Sequence, residues 1–236
     1  MFRNYQLVLG LSIILILSGC GEVAIGPGTT FDAPTKNAVM LRAPTDAEQV
    51  EQNKDSCAPA AAVTLYRVIT GKNYNPRQAA NEMGTNQGQK GTKWSEILKW
   101  LNNHEMTASA TTVATTWAVG MMESQIKAGY YALPLVNESA KPNAPHVFIV
   151  YGIDKNADGT ERILVSDSNK RLGMSRIGID AKIFQNRWLI NTSVNRPIER
   201  AFIVFVDSRP RKKPATTQKA NVIDTSKTLH GDLLIQ

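Results

Sequence analysis

The chain is poor in cysteine, histidine and aromatic residues, and it has no apolar run long enough to cross a membrane comfortably. Its 236 residues hold two cysteines and three histidines, and only 7% of them are Phe, Trp or Tyr. Arginine and lysine outnumber acids by 27 to 20, for a net charge of +7. Those cations are not interleaved with aromatic side chains as a nucleic-acid groove requires, so no nucleic-acid partner is expected. Part of the excess lies in Arg209-Pro210-Arg211-Lys212-Lys213-Pro214, which reads as a solvated or membrane-surface feature. No internal repeat is visible.

The length suits one domain of about 150 to 200 residues with flanking segments. Residues 1–19 have the form of a signal: Arg3 supplies a positive start, and Leu7 to Leu17 is a short apolar stretch. The stretch ends in Leu17-Ser18-Gly19-Cys20, which resembles the lipobox of bacterial lipoproteins. That resemblance implies cleavage before Cys20 and lipid attachment to it. Gly21 in the following position, in place of Asp, implies sorting to the outer membrane, facing the periplasm. With Cys20 acylated, Cys57 has no disulfide partner in the chain. A lone thiol in an oxidising compartment is a liability unless it is buried or used.

Gly, Pro, Thr and Asn dominate residues 20–37, which are expected to form a flexible tether. The folded domain is expected over 38–207, and the Pro/Thr/Lys-rich residues 208–236 read as a disordered tail. Val39 to Leu41 suggests a short strand. A helix is predicted over residues 56–70, ending at Gly71, with Ala61, Leu65, Val68 and Ile69 on its buried face. Shorter helices are expected over 77–83, 94–102 and 119–128. Residues 85–93 read as a loop, and 107–117 as a strand pair or a strand and a turn. Beyond Gly129 the pattern turns to strands, at 130–136, 146–152, 162–167 and 201–206, with a helix or turn at 184–189. Helices first and a mainly antiparallel sheet second make an α+β domain.

Cys57 stands where polar residues give way to helix formers, so it should open its helix, with Asp55 or Ser56 as cap and Pro59 tolerated in the first turn. First-turn amides and the helix dipole favour negative charge there, which poises a thiol as a nucleophile. The alternative is a small buried hydrophobe. Thiol catalysis needs a base, a group that orients the base, and a donor for the oxyanion. His104 lies in a polar helix-to-loop junction and reads as a surface residue, and His230 falls in the tail. His146 alone begins a buried strand. Asp167 ends the strand expected to pair with it across the turn at 156–159, so hairpin register brings the two together. The alternative for Asp167 is capping of the turn that follows. Asp154 and Asp158, in the turn, are weaker candidates. Gln52, five residues before the thiol, can offer a side-chain N–H to an oxyanion beside the Cys57 amide, with Gln49 as the fallback. One thiol and one ordered histidine do not make a zinc site, and no cofactor is expected.

Gln52-x4-Cys57-Ala-Pro-Ala-Ala, Gly84-Thr85, Gly91-Thr92, His146-Val-Phe-Ile-Val-Tyr-Gly152-Ile-Asp154, Val165-Ser-Asp167 and Phe184-x3-Trp188 follow in an order that resembles papain-fold cysteine peptidases of the bacteriocin-leader-processing, double-glycine type. The resemblance covers most of residues 48–205. It implies a papain-like α+β fold, with the thiol on the helical half and the histidine on the sheet. It also implies a Cys57/His146/Asp167 triad with Gln52 as oxyanion donor. Two positions depart from the family pattern: Ala58 stands where Gly usually follows the cysteine, and Ser168 where Pro often follows the aspartate. The expected activity is hydrolysis of a peptide bond in an envelope, exported or secretion-associated protein. Two other readings are an amidase or acyltransferase on cell-wall peptides, and a non-enzymatic papain-fold binding module in an envelope or conjugation machine.

Overall fold

The computed structural model describes residues 29–30, 32–53, 56–85, 91–137, 145–169, 177–186, 191–192, 196–197, 200–211 and 234–235. The signal, Cys20, Asp55, Trp188 and His230 therefore lie outside the described residues. In chain order the elements begin with β1 (Thr29–Thr30), β2 (Val39–Met40), α1 (Cys57–Thr70), α2 (Pro76–Glu82), β3 (Thr92–Lys93) and α3 (Trp94–Asn103). Next come β4 (Ala108–Ala114), α4 (Thr115–Lys127), β5 (Tyr130–Asn137), β6 (Pro145–Val147), β7 (Ile149–Lys155), β8 (Glu161–Ser166) and β9 (Ile177–Asp180). The last are α5 (Ala181–Asn186), β10 (Asn191–Thr192), β11 (Arg196–Pro197), β12 (Arg200–Asp207) and β13 (Leu234–Ile235).

The central sheet runs β1-β9-β8-β7-β5-β12-β4, with β2 added to β7 and β6 to β5, and every pair is antiparallel. Its two faces are separated by the period-2 alternation of each strand. On β5, Tyr131, Leu133 and Leu135 join the core shared with α1 and α3, whereas Ala132 and Val136 join the core under α4 and α5. Strand β12 repeats the pattern, with Val204 and Val206 on the first face and Ala201, Ile203 and Phe205 on the second. The thiol-bearing helix and the sheet are thus packed together through the first of these cores. The predicted continuous strand over 146–152 is interrupted at Phe148, where pairing with β5 passes from β6 to β7.

Both flanks differ from the expected tether and tail. Thr29 and Thr30 pair with Ile179 and Gly178 of β9, and Thr35 donates from its backbone N–H to Asp154 at 3.0 Å. Arg162 closes this strap by donating to the Ala33 carbonyl and to Asp154, each at 2.7 Å. A buried carboxylate and guanidinium that satisfy each other anchor chain that composition alone marks as loose. At the other end, the Arg211 N–H reaches the Glu105 carbonyl at 2.7 Å, and Leu234–Ile235 pair with Lys93 and Thr92. Composition is blind to such pairing because backbone groups supply it.

Candidate active site

Helix α1 begins at Cys57, whose thiol is free and whose residue is 1% exposed. Gly71, at φ 69°, ends the helix and donates its N–H to Arg67 O at 2.9 Å, the left-handed stop that glycine permits. The N-terminal cap differs from expectation. Ser56 occupies the cap position but makes no capping bond; its hydroxyl donates to Asn53 O at 2.8 Å. The first-turn amides therefore keep their capacity to face an incoming negative charge. Ala58 is 2% exposed, with its methyl packed into the core shared by α1 and the sheet.

His146 is 3% exposed, and its Nε2 lies 2.9 Å from Oδ1 of the buried Asp167. A hydrogen bond and charge attraction also link the ring to Cys57. Burial pushes the imidazole toward neutrality, but the Asp167 charge, the Asp167 hydrogen bond and Cys57 outweigh it and raise the His146 pKa well above the usual value. The ring meets Phe148 edge-on, with centroids 4.7 Å apart, and Phe184 lies beyond Phe148 at 6.2 Å. These apolar rings wall off part of the pair from water.

Asp167 makes a contact expected of each reading open to it. The same Oδ1 also accepts the Asn169 N–H at 3.0 Å, as a turn-capping aspartate does, while Oδ2 is buried without a partner. The hairpin register brings it to His146: β8 pairs with β7 from Lys155↔Glu161 to Ile149↔Ser166, so the residue after Ser166 lands beside the strand that precedes Ile149.

Gln52 and Gln49 meet this strand end from the other side. The Gln52 N–H donates to Ser168 O at 2.8 Å, the Ser168 hydroxyl donates to Gln52 Oε1 at 2.8 Å, and Gln49 Nε2 donates to the Asp167 carbonyl. Their segment is pinned to α1 as well. Val50 N–H donates to Thr64 Oγ1 at 3.0 Å, and Arg42 forks onto Glu48 with two 2.7 Å bonds while also reaching Val68 O at 2.8 Å. The Arg42 hydrogen bond holds the Glu48 carboxyl down at about 2. The sequence marks Ser168 only as a departure from the family pattern directly after Asp167; its contacts with Gln52 were not foreseen.

The remaining candidates stand apart. Both oxygens of Asp154 are engaged by Thr35 and Arg162, and Asp158 accepts from Thr160 in the turn. His104 is half-buried, stacked on Trp100 at 4.1 Å, and not the surface residue expected from its polar neighbours. Among the described residues no three His, Cys, Asp or Glu side chains gather as a metal site. The Gly84-Thr85 and Gly91-Thr92 motifs are tied together by a 2.6 Å bond between the two threonine hydroxyls.

A thiol opening a helix, facing a buried His–Asp pair at the edge of an antiparallel sheet, is the organisation of the papain-like cysteine peptidases. Residues 45–195 match the Peptidase_C39 like family, and the chain belongs to that family. Among solved structures it is similar to UfSP from C. elegans, at 13% identity and a TM-score of 0.51, over 77% of this chain and 36% of that one. It is also similar to a double glycine motif protease from an AMS/PCAT transporter, solved with its leader peptide. That match has 13% identity and a TM-score of 0.47, and covers 70% of this chain and 93% of the other. No curated protein matches the chain.

Proposed function

We propose that this cysteine peptidase hydrolyses peptide bonds through Cys57, His146 and Asp167, with Gln52 and the Cys57 amide as oxyanion donors. The observation that carries the reading is the buried contact chain Asp167–His146–Cys57. The raised His146 pKa keeps a proton on the imidazole for the leaving amine, with the Cys57 sulfur beside it as nucleophile. The thiolate sulfur bonds to the peptide carbonyl carbon, and the carbonyl π pair moves onto oxygen. Collapse of that oxyanion expels the amine, which takes its proton from His146. Water then attacks the thioester, giving its proton to His146, and the acid product leaves with the thiol regenerated. Asp167 holds the imidazole through Nε2 so that Nδ1 serves the sulfur.

The substrate we infer is an extended peptide in an envelope, exported or secretion-associated protein, met by an enzyme anchored through lipid on Cys20. The support for the anchor is the Leu17-Ser18-Gly19-Cys20 pattern followed by Gly21. Site-resolved mass spectrometry of iodoacetamide labelling at pH 6 tests the catalytic reading. Cys57 should label at least tenfold more slowly in His146→Ala, since an isolated thiol of pKa about 8.5 is almost wholly protonated there. Equal labelling in the two proteins would mark Cys57 as a packed thiol. Alkyne-palmitate incorporation in a bacterial host should be lost in Cys20→Ser, and an unlabelled wild type overturns the anchor.

A further inference from the structure

Ser168 is 5% exposed, and two of its polar groups turn to a single residue. Its carbonyl accepts the Gln52 backbone N–H and its hydroxyl donates to the Gln52 side-chain oxygen, both at 2.8 Å. Gln52 Nε2 makes no hydrogen bond among the described residues, so both of its N–H groups remain available. The backbone beneath Gln52 is already fixed by Val50 on Thr64 and by Gln49 on Asp167. What is left to settle is rotation of the terminal amide, a broad torsion that rotamer sterics alone restrict weakly.

We propose that Ser168 is a positioning residue that sets the Gln52 amide, holding Oε1 so that Nε2 is presented to the oxyanion formed at Cys57. This rests on the oxyanion role given to Gln52 above. The physical need is plain. A flipped amide would aim a carbonyl oxygen at a developing negative charge, so an unheld glutamine is a donor for only part of the time. A hydroxyl bonded to Oε1 selects the productive orientation before the reaction starts, which is when preorganised donors are effective. Because Ser168 directly follows Asp167, one strand end positions both the His146 partner and the oxyanion donor.

The test compares two reagents at the same sulfur. p-Nitrophenyl acetate acylates Cys57 through a tetrahedral oxyanion, with p-nitrophenolate leaving on the electron pair of the broken C–O bond. Iodoacetamide alkylates it by displacement of iodide, with no oxyanion. Ser168→Ala should slow acylation roughly tenfold, a fraction of what loss of a whole donor costs, and leave alkylation within about twofold. Ser168→Thr, which keeps the hydroxyl, should restore acylation. In a Gln52→Ala background Ser168→Ala should have no further effect, because it acts through the glutamine. Equal slowing of both reagents, no slowing of either, or a full Ser168 effect without Gln52 overturns the proposal. If Gln52→Ala slows acylation and Ser168→Ala does not, only the positioning role fails. If Gln52→Ala leaves acylation unchanged, the oxyanion assignment itself falls, and the role of Ser168 with it.

Discussion

His146 and His104 each meet a carboxylate and an aromatic ring, yet the two clusters are built for different ends. His146 lies between Asp167 and Cys57 at 3% exposure, and its acid partner faces it within the protein. The His104 side chain is 23% exposed; its Nδ1 donates to the Trp100 carbonyl at 2.8 Å, and its Nε2 lies 3.2 Å from the Tyr74 hydroxyl and 3.5 Å from Glu82. Glu82, moreover, already accepts from Tyr74, Gln78 and Trp100. The first arrangement sets the ring between one buried carboxylate and a thiol. The second ties its ring into a hydrogen-bonded aromatic box that joins α3 to the α1–α2 connection. A neighbouring acid does not make a histidine a catalytic candidate; a place between a buried carboxylate and a thiol does.

The sharpest way to break that contrast is to remove each ring. His146→Ala or Cys57→Ala should lower turnover of p-nitrophenyl acetate at Cys57 by about 10³-fold or more, whereas His104→Ala should stay within about twofold. Comparable losses from the two histidines would erase the distinction.

Asp167→Asn keeps the shape of the buried pair and removes its charge, with an expected loss of about 10²-fold in turnover. It also exposes the electrostatics. The folded His146 pKa is raised, so the contribution of this group to stability is complete below its ordinary value near 6.5 and is lost as pH rises through the folded value. An NMR titration of the His146 ring, assigned by its absence in His146→Ala, should give a midpoint well above 6.5 that falls in Asp167→Asn. A midpoint that does not move would deny Asp167 its part.

The sheet that carries His146 can be perturbed without touching the His104 box. A Cβ at Gly152 would lie 2.7 Å from Met40 Cβ and 3.1 Å from the Val39 carbonyl, contacts with a strand backbone that has little room to retreat. Gly152→Ala should therefore lower unfolding stability by about 2 kcal/mol, read from urea midpoints. Full stability in this variant would show that β2 is held less closely to β7 than the register indicates.

Most of the candidate site's placement was legible because its members obey local rules. Cys57 opens its helix at the polar-to-apolar switch, and Asp167 meets His146 because hairpin register carries one strand end back to the other strand's start. The papain-like α+β fold was legible from the helix-then-strand order and the family motifs. Less could be read where contact joins loops distant in sequence. Nothing local to Ser168 announces Gln52, 116 positions earlier, and nothing in the polar, Pro-containing stretch around Thr35 announces Asp154, 119 positions later. His104 is the instructive error. Its polar neighbours suggested the surface, but it follows Trp100 by four residues, the spacing that stacks side chains on one helix face.

That spacing gives the smallest of the expected effects. His104→Ala removes a ring stacked 19° from parallel on Trp100 and the Nδ1–H bond that closes the end of α3 on the Trp100 carbonyl. A partly exposed stack with one such bond contributes about 1 kcal/mol, so the urea midpoint should fall modestly while iodoacetamide labelling of Cys57 keeps its rate. His104→Phe separates the two parts: it retains the stack, loses the bond to the carbonyl, and should recover about half of the stability. If His104→Ala leaves stability unchanged, the aromatic box is ornament on the helical surface. If it slows labelling of Cys57, the two histidine clusters are coupled, and the division between a chemical histidine and a packing one does not hold.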